Sequence, residues 1–160
     1  MDSRASAEHD IGAVRVDEVA VIFSDIVGFT RLAESMTADE VMELLRGYHE
    51  LVERAIFENG GTLDKYLGDG VMATFGTPVP ASDDAARALA ASQQILRDGT
   101  AWSEERKQAG KHAVEISVGA HFGPVIMGDI GSERRLEFAV LGATVNVAAR
   151  VESATRTLGC

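Results

Sequence analysis

Residues 19–25, Val-Ala-Val-Ile-Phe-Ser-Asp, decide the fold. Five apolar, mostly β-branched residues without polar alternation are what a central strand covered on both faces requires. The run breaks at Ser24-Asp25, which leaves a carboxylate at the rim of a sheet, where a ligand can reach it.

Outward from this strand the chain alternates helices with paired strands. Thr37-Ala38-Asp39-Glu40 is a capping box: Thr37 caps a helix start and Glu40 reaches back to it. Val41, Leu44, Leu45, Tyr48, Leu51, Val52, Ala55 and Ile56 follow at helical spacing, and Asn59-Gly60-Gly61 stops the helix. Residues 62–75, TLDKYLGDGVMATF, read as two short strands joined through Gly68-Asp69-Gly70. Pro78 and Pro80 mark a loop, and Ser82 is the expected cap of an Ala-rich helix from Asp83 to about Arg97. Residues 98–111 are polar and fit either more helix or a loop.

Val114, Ile116, Val118, Ala120 and Phe122 then alternate as a strand. Gly123-Pro124 is expected to turn the chain, with Val125-Ile126-Met127 returning as a partner strand. Another turn is expected from Gly128-Asp129-Ile130-Gly131. Leu136 to Leu141 reads as a further strand, and Ala143 to about Thr157 as a helix. Hairpins alternating with helices imply an α+β domain, with a ferredoxin-like βαββαβ core of antiparallel sheet and packed helices. Residues 1–16 read as a flexible leader, and residues 17–160 as one domain.

Bulk properties narrow the function. The 160 residues are 46% hydrophobic and 25% charged, as in an ordinary globular domain. Fifteen basic against 25 acidic residues give a net charge of −10, which disfavours nucleic acid as a partner. A single cysteine, Cys160, permits no intrachain disulfide. No apolar run is long enough to insert in a membrane and no signal peptide is visible, so a cytoplasmic domain, free-standing or cut from a longer protein, is expected.

Two acidic positions carry candidate chemistry. Asp25 ends the first strand and Asp69 sits in the hairpin turn. Aspartate is common in both settings, so neither alone defines a site. In the proposed core, however, that strand can lie beside the hairpin and bring the carboxylates together. Such a pair repels unless cations bridge it, and hard oxygen donors favour Mg²⁺ or Mn²⁺. Ile26-Val27-Gly28-Phe29-Thr30 runs from strand end into a helical start, where backbone N–H groups of Gly28, Phe29 and Thr30 can hold phosphate oxygens. Asn146 and Arg150 are four residues apart, on one helical face, where such a pair is by itself ordinarily just solvated. Lys65 shares strand parity with Leu63 and Leu67, an odd place for an ammonium unless that face meets a ligand; the alternative is snorkelling to the edge. His112 and His121 lack metal-ligand spacing and read as structural.

Four ordered segments, FSDIVGFT, KYLGDGVMATFG, VGAHFGPVIMGDIG and LGATVNVAARVES, resemble the class III adenylyl/guanylyl cyclase catalytic domain of the bacterial, homodimeric type. The resemblance runs from Val19 to Cys160 and implies the palm-like version of the core. It implies that Asp25, Asp69 and the Ile26 carbonyl hold two Mg²⁺ or Mn²⁺ ions per site. It further implies that Lys65 reads the purine, Asn146 orients the ribose, Arg150 stabilises the transition state at the α-phosphate and Arg134 binds the triphosphate. The implied reaction turns ATP into 3′,5′-cyclic AMP and pyrophosphate, in a site shared across a head-to-tail homodimer.

Two departures accompany the resemblance. The second purine-reading position, Asp or Thr in the family pattern, is Ala139, which implies weaker rejection of GTP. The chain stops just after the helix bearing Arg150, where family domains continue through further strands. Both features keep open a second reading, a catalytically weak nucleotide-binding or dimerisation module that regulates a partner. A diguanylate cyclase is disfavoured because no GGDEF-like run is present.

Overall fold

In the computed structural model, which describes residues 14–132 and 135–158, residues 19–25 lie in the middle strand of a five-stranded sheet. The elements are β1 (Arg15–Ile26), α1 (Phe29–Glu34), α2 (Ala38–Glu58), β2 (Thr62–Leu67), β3 (Gly70–Phe75), α3 (Asp84–Gln108), β4 (Ile116–Ser132), β5 (Arg135–Leu141) and α4 (Ala143–Leu158). Their spatial order is β2-β3-β1-β4-β5, and every pairing is antiparallel. The first four strands with α2 and α3 are the expected βαββαβ core. Of the expected leader, residues 1–13 lie outside the described residues, and β1 already begins at Arg15.

The unbroken apolar run of β1 has a direct cause. Ala20, Ile22 and Ile26 pack under α2 and α3, whereas Val19 and Val21 join Met72, Val125, Met127, Val140 and Ala148 beneath α4. The sheet is a middle layer, so both faces of β1 are buried. Helix α2 begins as its capping box dictates: Glu40 N–H donates to Thr37 Oγ1 at 3.2 Å, and Thr37 N–H donates to Glu40 Oε2 at 2.8 Å. Its stripe of Leu44, Tyr48, Leu51, Val52, Ala55 and Ile56 is buried, each large side chain contributing about 1.5–3 kcal/mol.

Three expectations fail, each for a physical reason. Ser82 does not cap α3; the cap position is Asp83, and Asp84 instead accepts from Ala81 N–H and pairs with Arg87. Residues 98–108, which fit helix or loop by sequence, continue α3, because their polar sequence hides an inward face. Gly99 makes room for Ile116, and buried Arg106 lies over Trp102 while donating to the His112 carbonyl at 2.9 Å. Gly123-Pro124 does not turn the chain: β4 runs straight through it, with Pro124 opposite Glu18. The Pro124 carbonyl accepts from Thr144 Oγ1 at 2.7 Å, so that residue's backbone faces away from β1 and its missing N–H costs no ladder bond. Gly128–Gly131 likewise stay in β4, which pairs with β5 from Ile126 onward.

Helix α4 lies on the sheet face opposite α2 and α3. Thr144, Ala148 and Glu152 form its buried stripe, while Asn146 and Arg150 stand exposed. It approaches β4 so closely that a Cβ on Gly119 would lie 2.1 Å from the Glu152 nitrogen. Gly119→Ala should therefore push α4 outward and cost about 1–3 kcal/mol, read as a lower denaturant midpoint. An unchanged midpoint would show that α4 does not seat there. No helix among the described residues is long and apolar enough to cross a membrane.

Candidate active site

The site is built where β1 ends. Asp25 faces Ser117 across the β1–β4 pairing, and Ser117 Oγ donates to Asp25 Oδ1 at 2.8 Å. Asp69 occupies the tight turn between β2 and β3, and Ile26 N–H donates to Asp69 Oδ2 at 3.3 Å. The two carboxylates thus flank Ile26, as the sequence led us to expect. With Gly28, Phe29, Thr30 and Arg31 these residues line a cleft of about 260 Å³. Gly28 is required by its backbone, φ +65°, and not by crowding, since a Cβ there meets nothing within 4 Å.

Beneath the cleft lies a buried polar layer. Tyr48 on α2 donates to Ser24 Oγ at 3.1 Å. Burial drives the Tyr48 phenol far above its ordinary range, and the negative charges of Asp25, Asp69 and Glu152 add to the effect. Tyr48 therefore remains a neutral donor. His49, next along α2, packs its ring against Tyr66 of β2 with centroids 4.5 Å apart and planes tilted by 45°, tying the hairpin to the helix. Burial lowers its pKa, against the opposing pull of Glu53 and Asp69.

Metal ions fit this donor set. Two carboxylates and the backbone at Ile26 offer hard oxygens only. Among the described residues no three His, Cys, Asp or Glu side chains form a cage. Mg²⁺ is commonly held in this way, by one or two carboxylates with substrate phosphates and water completing its shell.

Lys65 is placed differently from its sequence parity. A bulge at Asp64 sets Leu63 opposite Ala73 and Lys65 opposite Met72, so the two side chains take opposite faces. Leu63 packs on the α2 side, and Lys65 shares the face of Met72 with its side chain 47% exposed. Its Nζ is 3.5 Å from Asp64 Oδ2, an ion pair rather than a full hydrogen bond; burial raises the Asp64 pKa while Lys65 opposes it. Ala139 lies in β5 opposite Gly128, with three strands between β5 and β2. Arg134 falls outside the described residues. One chain therefore gathers Asp25, Ile26, Asp69, Gly28, Phe29 and Thr30 in one cleft, while Lys65, Asn146 and Arg150 lie elsewhere on its surface.

Sequence reasoning missed Ser117, Glu152, Tyr48 and Arg31. Tyr48 read as core, and nothing local marks Ser117 or Glu152. A roomier cleft of about 410 Å³ lies between α3, the start of β4 and Thr155. It holds neither Asp25 nor Asp69, which both line the smaller cleft.

Residues 11–158 match the family described as the adenylate and guanylate cyclase catalytic domain. The chain belongs to this family. Nucleotide binding and divalent-metal dependence are general to such cyclase domains. The domain is 36% identical over 155 residues to an adenylate cyclase of Anabaena cylindrica, covering 94% of this chain and 30% of that protein. Among solved structures, the adenylyl cyclase CyaB from P. aeruginosa matches with a TM-score of 0.83 and 31% identity, covering 89% of this chain and 74% of that one. The guanylyl cyclase Cya2 matches with a TM-score of 0.81 and 34% identity, covering 89% and 72%. The cyclase domain thus spans under a third of the Anabaena protein, and it resembles adenylyl and guanylyl enzymes about equally.

Proposed function

We propose that this domain converts ATP into 3′,5′-cyclic AMP and pyrophosphate in the cytoplasm, at a site shared by two copies of the chain. The convergence of Asp25 and Asp69 on either side of Ile26 carries the reading. In the reaction the ribose 3′-oxygen bonds to the α-phosphorus as the bond to the β-phosphate oxygen breaks. Two Mg²⁺ or Mn²⁺ ions, bound by Asp25, Asp69 and the Ile26 carbonyl, would acidify the 3′-hydroxyl and neutralise the departing pyrophosphate.

The remaining work is positioning and charge stabilisation. Backbone N–H groups of Gly28, Phe29 and Thr30 hold phosphate oxygens, with Arg134 as a further cation. From the second copy, Lys65 donates to the purine ring, Asn146 orients the ribose and Arg150 meets the charge developing at the α-phosphate. The outward placement of Asn146 and Arg150 on α4 supports this division, because an exposed face can serve a neighbouring copy. The purified chain with Mn²⁺ and ATP or GTP, assayed for cyclic nucleotide, tests the proposal. Nucleotide binding without cyclic product would favour the regulatory module instead.

Base choice depends on Lys65 and Ala139. Lysine donates to an adenine ring nitrogen, but alanine accepts nothing from the exocyclic amine. ATP should be the better substrate, with poor rejection of GTP. Ala139→Thr should raise the ATP:GTP ratio of kcat/KM by about tenfold, the worth of one good hydrogen bond. Measuring kcat/KM for both nucleotides checks this; a wild type that prefers GTP, or an unmoved ratio, overturns the purine assignment.

A further inference from the structure

Ser117 and Glu152 have no role in the reaction described so far, yet both are 5% exposed and lie behind the cation cleft. Ser117 stands directly across from Asp25 in the β1–β4 pairing and donates to its Oδ1 at 2.8 Å. The same hydroxyl contacts Glu152 Oε1. Glu152 descends from α4 at the point where Gly119 lets the helix backbone come close to the sheet. A side-chain chain therefore runs from α4 through Ser117 to Asp25.

We propose that Ser117 is a positioning residue for Asp25 and that Glu152 holds Ser117 in place. The inference rests on the metal role assigned to Asp25 above. A hydrogen bond to Oδ1 fixes the carboxylate's rotation, so that its second oxygen addresses the cleft. Partners of this kind orient a ligand and are commonly worth ten- to a hundredfold in metal affinity. Glu152 arrives from a rigidly seated helix, and its contact with Ser117 Oγ restricts the hydroxyl to the position beside Asp25. Glu152 also lies two residues beyond Arg150, on the opposite side of α4. One short network thus aligns the metal carboxylate with the helix that presents Arg150 to the other copy.

Direct titration of the intact chain with Mn²⁺ alone, followed by the electron paramagnetic resonance of free Mn²⁺, tests this independently of turnover. Ser117→Ala should weaken Mn²⁺ binding about tenfold, and Ser117→Thr, which keeps the hydroxyl, should restore most of it. Glu152→Gln supplies an amide that can donate to Ser117 Oγ, leaving the serine proton for Asp25, and should bind nearly as wild type, whereas Glu152→Leu should lose affinity in the direction of Ser117→Ala. Thermal midpoints without metal separate positioning from unfolding. Affinity lost only in step with stability across these variants overturns the positioning role. Wild-type affinity in a folded Ser117→Ala also overturns it but leaves the metal assignment standing. If Asp25→Asn binds Mn²⁺ as tightly as wild type, the metal assignment falls and the positioning role with it.

Discussion

Asp25→Asn should lower cyclase turnover by about a thousandfold or more, equivalent to ~4 kcal/mol of lost transition-state stabilisation. Asparagine keeps the shape and an oxygen that can still accept from Ser117, but it loses the charge that holds a divalent cation. The fold should survive, because removing one of two neighbouring carboxylates relieves repulsion. The thermal midpoint should be unchanged or slightly higher while kcat collapses. Steady-state kinetics with Mn²⁺-ATP, paired with thermal unfolding, measures both. Undiminished metal-dependent turnover in a folded Asp25→Asn protein would sink the assignment.

Subunit mixing should produce a gain of activity almost as large. Asp25→Asn and Arg150→Ala chains should each be nearly inactive alone, since every site in either homodimer lacks one essential group. In a mixed dimer one site inherits both lesions and the other inherits neither. With random pairing about half the dimers are mixed and one of their two sites works, so activity should recover towards about a quarter of wild type. Labelled subunits establish that exchange has occurred. If exchanged mixtures stay inactive, the two copies do not divide the site in this way.

The layout of the fold was largely legible in the sequence, because its strongest signals are local. Thr37 and Glu40 announce α2, Gly68-Asp69 announces the hairpin, and residues 19–23 announce a doubly covered strand. Misreadings arose where tertiary contacts override a local cue. Pro124 ordinarily interrupts strands, and only its carbonyl bond to Thr144 reveals that β4 continues. Residues 98–108 are no misreading: their sequence fits helix or loop, and Arg106 lying on Trp102 decides for helix.

The candidate site was legible only in its outer members. Asp25 and Asp69 are conspicuous because each follows or interrupts a strand. Ser117 and Glu152 are not: one is a small residue in mid-strand, the other a charged residue that simple patterning assigns to the exposed face of a helix. Their contact spans 35 positions of chain and depends on the missing side chain of Gly119. Lys65 was found by resemblance, but its face could not be read from parity, since nothing in Leu-Asp-Lys announces a bulge.

That bulge decides where β2 can change length. Side chains in a strand alternate strictly, so losing Asp64 only flattens the bulge and keeps Leu63 opposite Ala73 and Lys65 opposite Met72, whereas losing Tyr66 with the turn fixed carries the ammonium to the α2 side and removes the ring beside His49. The connection between β3 and α3, residues 76–83, has no such alternation to preserve, and surface loops absorb added residues at little entropic cost. Variants of this chain should accordingly differ in length between β3 and α3, and in β2 only at Asp64, while the count from Lys65 to the turn stays fixed.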